Sequence, residues 1–337
     1  MLGAIDRSRF DVIPIGITRD GAYVLESDDP ARFALDPGHL PEVVDNGSRV
    51  RWPESSSSRE LTVTDASGVR SLGDVDVVFP ILHGRFGEDG TVQGLLELLG
   101  LPYVGNGVLA SAVGMDKHFT KTVLEGAGIA VAPWVTLTRV ALAHDPELWK
   151  RRVHALGLPV FVKPARAGSS VGVSRVADWS ELHAALDAAF AEDRTVLVEA
   201  AVTGREIECG VLEGRDGVPP RVSVAGEVVV TGRAFYDFEA KYLDAPGVDL
   251  ICPAELGDGE LFELQRIAGR AFEAIGGEGL ARVDVFLTGE GFVVNEVNTM
   301  PGFTPISMFP TCWLNTGLSY PELITELIEV GHARGIR

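Results

Sequence analysis

The chain of 337 residues is long enough for two to three domains of about 150 residues, and 29 Lys and Arg against 48 Asp and Glu give it a formal net charge of −19. That balance argues against long-range attraction to nucleic acid or to an anionic membrane surface, so an anionic ligand has to be captured locally. With 46% hydrophobic and 23% charged residues the composition is that of a globular protein, and no apolar run approaches the roughly 20 residues of a membrane span.

The opening MLGAIDRSRFDVIPIGI has no apolar segment followed by a small-residue cleavage site, which reads as a cytoplasmic protein. Alternating Val and Ile predict a strand over 10–17, with nothing before it to pair with. Residues 28–58 mix Pro, Asp, Gly and a serine run, and predict a loop-rich surface excursion. A strand is predicted over 75–82, with Pro80 favouring an edge or a strand end. Apolar spacing gives a helix over 90–99 capped by Gly100, and Asp116 opens another with Phe119, Val123, Leu124 and Ala127 on one face.

Strands follow over 133–137 and 158–164, the latter ending in Lys163 and a glycine-serine loop. Asp178 and Glu181 form a capping box before a helix that leads into a strand over 195–199. Further strands are predicted over 208–212 and 221–230, then a polar aromatic stretch at 234–243 and an amphipathic helix over 261–275. A hairpin over 280–298 turns at 288–291, and Pro321 opens a last helix. This order is that of a mixed α/β protein, with soft boundaries near Asn106 and Thr203 that divide it into 1–105, 106–202 and 203–337. Cys209, Cys252 and Cys312, odd in number and without CxxC spacing, argue against a disulfide framework or a zinc site and read as structural.

The hairpin is the most informative feature. Period-two alternation puts Arg282 and Asp284 on one face of its first strand and Glu296 and Asn298 on one face of its second. A turn centred near Glu290 makes Asp284 face Glu296 and Arg282 face Asn298. Two carboxylates and an amide oxygen are hard ligands of the kind Mg²⁺ prefers when phosphates and water complete its octahedron. A solvent-facing hairpin with ordinary charges would show the same pattern.

Lys117 and Lys163 could each neutralise phosphate oxygens, a lone surface Lys being more often just solvated, and the loop GSSVGVS at 168–174 could cradle a phosphate, although neither a Walker A loop nor a GxGxxG turn is present. Glu199 and Glu206 bracket a boundary where an interdomain cleft would hold a base and ribose; a pair of surface acids is the bland alternative. HGRFGEDGT at 83–91 joins a strand to a helix, FYDFEAKY at 235–242 has the character of a closing lid, and Ser307 in the turn-rich segment 298–310 could hold a substrate group.

HGRFGEDGT, GMDK, VKPARAGSSVGVS, VLVEAAVTGRE, FYDFEAKY, ARVDVF and NEVNTMPG, in this order, closely resemble the D-alanine:D-alanine ligases of the ATP-grasp superfamily, from Val75 onward. The resemblance implies an α/β ATP-grasp enzyme of three domains: an N-terminal Rossmann-like domain, then central and C-terminal domains with ATP between them. It implies Lys117, Lys163, Ser169, Ser170, Glu199, Glu206 and Lys241 around the nucleotide, and Asp284, Glu296 and Asn298 holding two Mg²⁺ ions, with Mn²⁺ as a substitute. Arg282 and the amide of Gly302 match the stabilisers of the tetrahedral intermediate. His83 and Glu88 lie near the first D-alanine, and Ser307 and Met308 at the carboxylate of the second.

Tyr242, on the loop that closes over Ser169, resembles the position where depsipeptide-forming relatives carry His, which favours an amine nucleophile. Partners implied are D-alanine and ATP, with no nucleic acid or membrane, in a homodimer of the cytoplasm. Two departures stand out. Ala200 and Ala201 replace a Lys and an aromatic residue near the adenine. Relatives also begin with a strand, a Glu-bearing glycine turn and a helix, and the resemblance places Met1 at the end of that helix, with roughly thirty residues lacking. The expectation is a D-alanine:D-alanine ligase, against an inactive ATP-binding remnant or a ligase for D-lactate or D-serine.

Overall fold

The computed structural model describes residues 1–33, 41–168, 171–215, 217–230 and 247–335. Ser169, Ser170, Lys241, Tyr242 and the lid-like stretch 235–242 lie outside the described residues.

The N-terminal region is built from antiparallel pieces. Strand β1 (Ile15–Ile17) pairs with β2 (Tyr23–Leu25), so the early strand finds its partner after it in sequence. Strands β3 (Arg49–Arg51), β4 (Glu60–Asp65) and β5 (Gly68–Asp74) make a three-stranded sheet, two strands of which lie beyond the predicted loop in a hairpin that the sequence analysis missed. The strand expected over 75–82 is reduced to a parallel bridge between Val78 and Tyr103. Its alternating Val77, Phe79 and Ile81 pack sideways against the C-terminal core instead of against strand neighbours. The parallel pairing expected of a Rossmann-like layer is confined, in this region's described residues, to that bridge.

Helix α1 (Thr91–Leu98) ends before Gly100, whose φ of +64° suits a residue without Cβ, as the sequence predicts. After α2 (Val108–Met115), helix α3 (Lys117–Gly126) is capped by the Asp116 carboxylate, which accepts from the amides of His118 and Phe119. Of the predicted face, Leu124 is buried and Val123 and Ala127 pack against the same core, but Phe119 is 55% exposed, and Thr120 and Lys121 are buried beside Leu124 instead.

The central four-stranded sheet runs β6 (Trp134–Thr138), β9 (Thr195–Ala200), β7 (Val160–Pro164), β8 (Ser174–Val176), all antiparallel. Two short helices, α4 (Arg139–His144) and α5 (Pro146–His154), follow β6, and α6 (Leu182–Glu192) follows the Asp178–Glu181 capping box. One face of this sheet carries Val135, Leu137, Val160, Val162, Val196 and Val198, buried under α5 and α6. The opposite face, bearing Lys163 and Glu199, is left to the site.

The C-terminal five-stranded sheet has the order β12 (Val248–Ile251), β11 (Arg221–Val230), β10 (Arg205–Leu212), β13 (Leu280–Thr288), β14 (Gly291–Asn298). Helix α7 (Asp258–Ala274) covers one face, burying Leu264, Ala268, Ala271 and Phe272 against Ile207, Cys209, Val283 and Val285. At one end of the other face lie α8 (Met308–Asn315) and α9 (Tyr320–Arg334). Helix α8 sits close on the strands because Gly210 and Gly226 have no side chain there: a Cβ would meet Trp313 at 2.5 Å and Met308 Sδ at 2.0 Å respectively. No helix among the described residues is long and apolar enough to cross a membrane.

Candidate active site

The β13–β14 hairpin pairs as its sequence predicts: Asp284 lies opposite Glu296 and Arg282 opposite Asn298. The alternation is not continuous, however. Phe292 and Val294 face the core, and so does Val297, which strict alternation would turn outward. The register shift that opposes Asp284 to Glu296 but Val285 to Val294 leaves Asn295 as an extra residue. This β-bulge reverses the phase of the strand and sends Glu296 and Asn298 to the face of Arg282 and Asp284.

On that face the side chains touch. Arg282 donates to both oxygens of Asp284 at 2.7 Å, and its Nε stands 3.0 Å from Glu208 Oε2. Asn298 Nδ2 donates to Asp284 Oδ2 at 2.9 Å and to Glu296 Oε1 at 3.4 Å. Burial works against the Arg282 charge, and the carboxylates of Asp284 and Glu208 outweigh it, holding the guanidinium protonated. Glu208 is a member of the cluster that the sequence analysis did not single out; its signal was position, two residues from Glu206 on a strand and therefore on the same face. Glu206 lies beside it on β10, opposite Phe286.

The segment after β14 adds more. His83, at an exposed rim position, is hydrogen-bonded through Nδ1 to the Met300 carbonyl at 3.0 Å. Ser307 Oγ bonds the Thr304 amide and hydroxyl and lies against Gly302, where a Cβ would approach it to 3.1 Å. The Met308 side chain is buried at 4% exposure against Val228 and Cys312, so its backbone amide, at the start of α8, is what it can offer a ligand.

Lys117 and Lys163 come from the other wall. Lys117 Nζ donates to the Ala167 carbonyl at 2.8 Å, and its backbone amide bonds Ala165, tying the start of α3 to the end of β7. Lys163 is paired with Glu199 at 3.0 Å. Glu199, expected to border the nucleotide, is only 3% exposed and is also paired with Lys121 at 3.0 Å, a buried lysine that the sequence analysis left unmentioned.

Glu88 joins the two walls. Its partial burial pushes the carboxyl up to about 7, against the pull of the Gly84 amide at 2.6 Å; Glu296 on one wall pushes it further and Lys117 on the other draws it back. The segment between α3 and β6 is tied to β14 by the Val294 amide, which donates to the Ala130 carbonyl. Among the described residues no trio of His, Cys, Asp and Glu is arranged to hold a metal. The donor set of Asp284, Glu296 and Asn298 nevertheless fits a hard divalent ion that takes its remaining ligands from phosphate and water. The arrangement therefore offers lysines for an anion, carboxylates for a cation and a half-buried guanidinium beside the carboxylates.

Comparison with known proteins gives the same picture. A family model described as the D-ala D-ala ligase N-terminus matches residues 1–106, and one described as the D-ala D-ala ligase C-terminus matches 123–329. The chain is 52% identical over 332 residues to a D-alanine–D-alanine ligase of Arthrobacter sp. (strain FB24), covering 97% of this chain and 87% of that one. It is 53% identical over 343 residues to that of Kineococcus radiotolerans, covering 99% and 91%. Among solved structures, the D-alanine-D-alanine ligase of Coxiella burnetii is 35% identical with a TM-score of 0.80, covering 99% of this chain and 87% of that one. A D-Ala:D-Ser ligase of Enterococcus faecalis is 35% identical with a TM-score of 0.81, covering 98% and 92%. Matches of this extent, to both halves of one enzyme and across both walls of the cleft, establish that the chain belongs to the D-alanine–D-alanine ligase family, a family of three-domain ATP-grasp enzymes.

Proposed function

We propose that the chain joins two D-alanines at the expense of ATP, in the cytoplasm and as a homodimer. The observation that carries this reading is half identity to D-alanine–D-alanine ligases over 97–99% of the chain. The match runs through the N-terminal region as well as the nucleotide-binding walls, which argues against a remnant that kept only a nucleotide pocket. The relatives at 52% and 53% identity are D-alanine–D-alanine ligases, well above the 35% of the D-Ala:D-Ser ligase, and D-alanine is the favoured second substrate.

The first D-alanine's carboxylate attacks the γ-phosphate of ATP and releases ADP, giving an acyl phosphate. The amine of the second D-alanine then attacks that carbonyl and expels phosphate, losing a proton as the peptide bond forms. Lys117 and Lys163, with Ser169, Ser170 and Lys241, neutralise the phosphates, and Glu199 and Glu206 border the base and ribose. Asp284, Glu296 and Asn298 hold the divalent ions, Mg²⁺ or Mn²⁺, which when bound spread the charge of the transferring phosphoryl group. Arg282 and the Gly302 amide stabilise the oxyanion of the tetrahedral intermediate. His83 and Glu88 stand beside the first D-alanine; Ser307 and the Met308 amide receive the carboxylate of the second at the positive end of α8. Tyr242, with Lys241 on its loop, closes the site, because an acyl phosphate hydrolyses in water.

The test is phosphate release by purified chain with ATP, Mg²⁺ and D-alanine. Turnover dependent on D-alanine is expected, and its preference over D-serine and D-lactate in direct competition; ATP binding without such turnover overturns the reading in favour of the remnant.

A further inference from the structure

Lys121 is 1% exposed and ranks among the largest fully buried side chains of the described residues. A lysine is rarely placed there, because removing an ammonium from water is costly unless a carboxylate compensates it. The compensating group is Glu199, whose Oε2 lies 3.0 Å from Lys121 Nζ while its Oε1 lies 3.0 Å from Lys163 Nζ. One buried carboxylate thus has two cationic partners, and Lys117 is near enough to bear electrostatically on Lys121. Burial works to raise the Glu199 carboxyl; the two lysines outweigh it and hold the group below its ordinary value.

The two partners are not equivalent. Lys121 rises from the middle of α3 under the Trp134 ring, 5.9 Å from its centre, with a side chain 2% exposed and no route to solvent. Lys163 ends β7 next to the loop after it, and its side chain is 13% exposed. If a phosphate enters the cleft, only Lys163 can turn to meet it. Were Lys163 the sole counter-ion of Glu199, that turn would strand a buried negative charge. We propose that Lys121 is the fixed counter-ion of Glu199, a positioning residue whose ion pair lets Lys163 exchange that carboxylate for the phosphates of ATP. This inference rests on the ligase reading and assigns Lys121 no contact with substrate.

The experiment is a double-mutant cycle with Lys121→Met, which keeps length and apolar volume, and Glu199→Gln. ATP affinity is measured by calorimetry without D-alanine, and thermal stability on the ligand-free chain. Lys121→Met is expected to weaken ATP binding by about tenfold or more in the wild-type background but by less than about twofold once Glu199 is Gln, with the same non-additivity in thermal stability. Equal effects in both backgrounds, or wild-type affinity in Lys121→Met, would overturn the proposal by showing that the lysine only fills space. Should Lys121→Met fail to fold, a folded double variant supports the pairing and an unfolded one overturns it. Wild-type chain that binds no ATP would bring down the ligase reading itself and the role of Lys163 with it, whereas additive stabilities in the ligand-free chain defeat the ion pair alone.

Discussion

Asp284 and Glu296 face each other across the β13–β14 hairpin only because Asn295 is an unpaired bulge residue between Glu296 and the strand that leads to it. Were Asn295 held in regular alternation instead, the strand that buries Phe292 and Val294 would turn Glu296 and Asn298 into the core and Val297 outward. Deleting Asn295 removes the extra residue and joins Val294 to Glu296 in unbroken alternation, with Val297 still inward and Glu296 still opposite Asp284. The deletion variant is therefore expected to fold with the same pairing and to lose less than about 3 kcal/mol in unfolding free energy, read by denaturant titration. A loss of about 3–5 kcal/mol, the scale of an uncompensated buried charge, would show that the phase of β14 is not what the bulge sets.

Glu296→Gln tests the chemistry of the same pair without disturbing its shape. The substitution preserves volume and the hydrogen bond available to Asn298 while removing one negative charge from the donor set. Stability is expected to change by less than about 1 kcal/mol, while Mg²⁺-dependent turnover falls by about 100-fold or more. Turnover near the wild-type rate would refute the metal assignment.

The hairpin pairing was legible in the sequence because a tight turn and alternating side chains define a register over a few residues. Other features depended on partners far along the chain. Lys121 reads as a solvated helix residue until Glu199, on a strand of another segment, is brought beside it; Phe119 reads as buried by its type, yet is exposed. In the missed β4–β5 hairpin, β5 is almost wholly exposed and carries no burial pattern, while β4 alternates Leu61 and Val63, both buried, with polar residues, a strand signal that the sequence does contain. Residues 77, 79 and 81 showed the opposite error, alternating like a strand while serving as contacts for the C-terminal core.

Glu88 gives the ligand-free chain a pH dependence of definite sign. Its carboxyl is raised from 4.5 to about 7, by burial first, so the folded state holds a proton that the unfolded state has released in that interval. The stabilisation is complete below about pH 4.5 and is lost as pH rises toward 7. The difference in unfolding free energy between wild type and Glu88→Gln is expected to shift by about 2–3 kcal/mol against wild type from pH 5 to pH 8. Denaturant titrations at several pH values measure it, and a pH-independent difference would show that Glu88 is ionised throughout.

Gly226 links the packing of α8 to the far end of the site. It lies on β11 opposite Glu208, the carboxylate beside Arg282, and beneath Met308, at the start of α8 next to Ser307. A Cβ on Gly226 would fall 2.0 Å from Met308 Sδ and 2.8 Å from its terminal methyl, so Gly226→Ala has to displace that side chain. Overpacking of this kind costs about 1–3 kcal/mol, and the displaced Met308 carries the N-terminus of α8 with it. The expected result is a folded chain with a lowered denaturation midpoint and weaker binding of the second D-alanine. ATP affinity should fall much less, since Lys117, Lys163 and Glu199 lie on the opposite wall and the strand positions of Glu206 and Asp284 are not displaced by Met308. An equal loss of affinity for ATP and D-alanine would mean that the substitution loosens the whole C-terminal sheet instead of shifting one helix end.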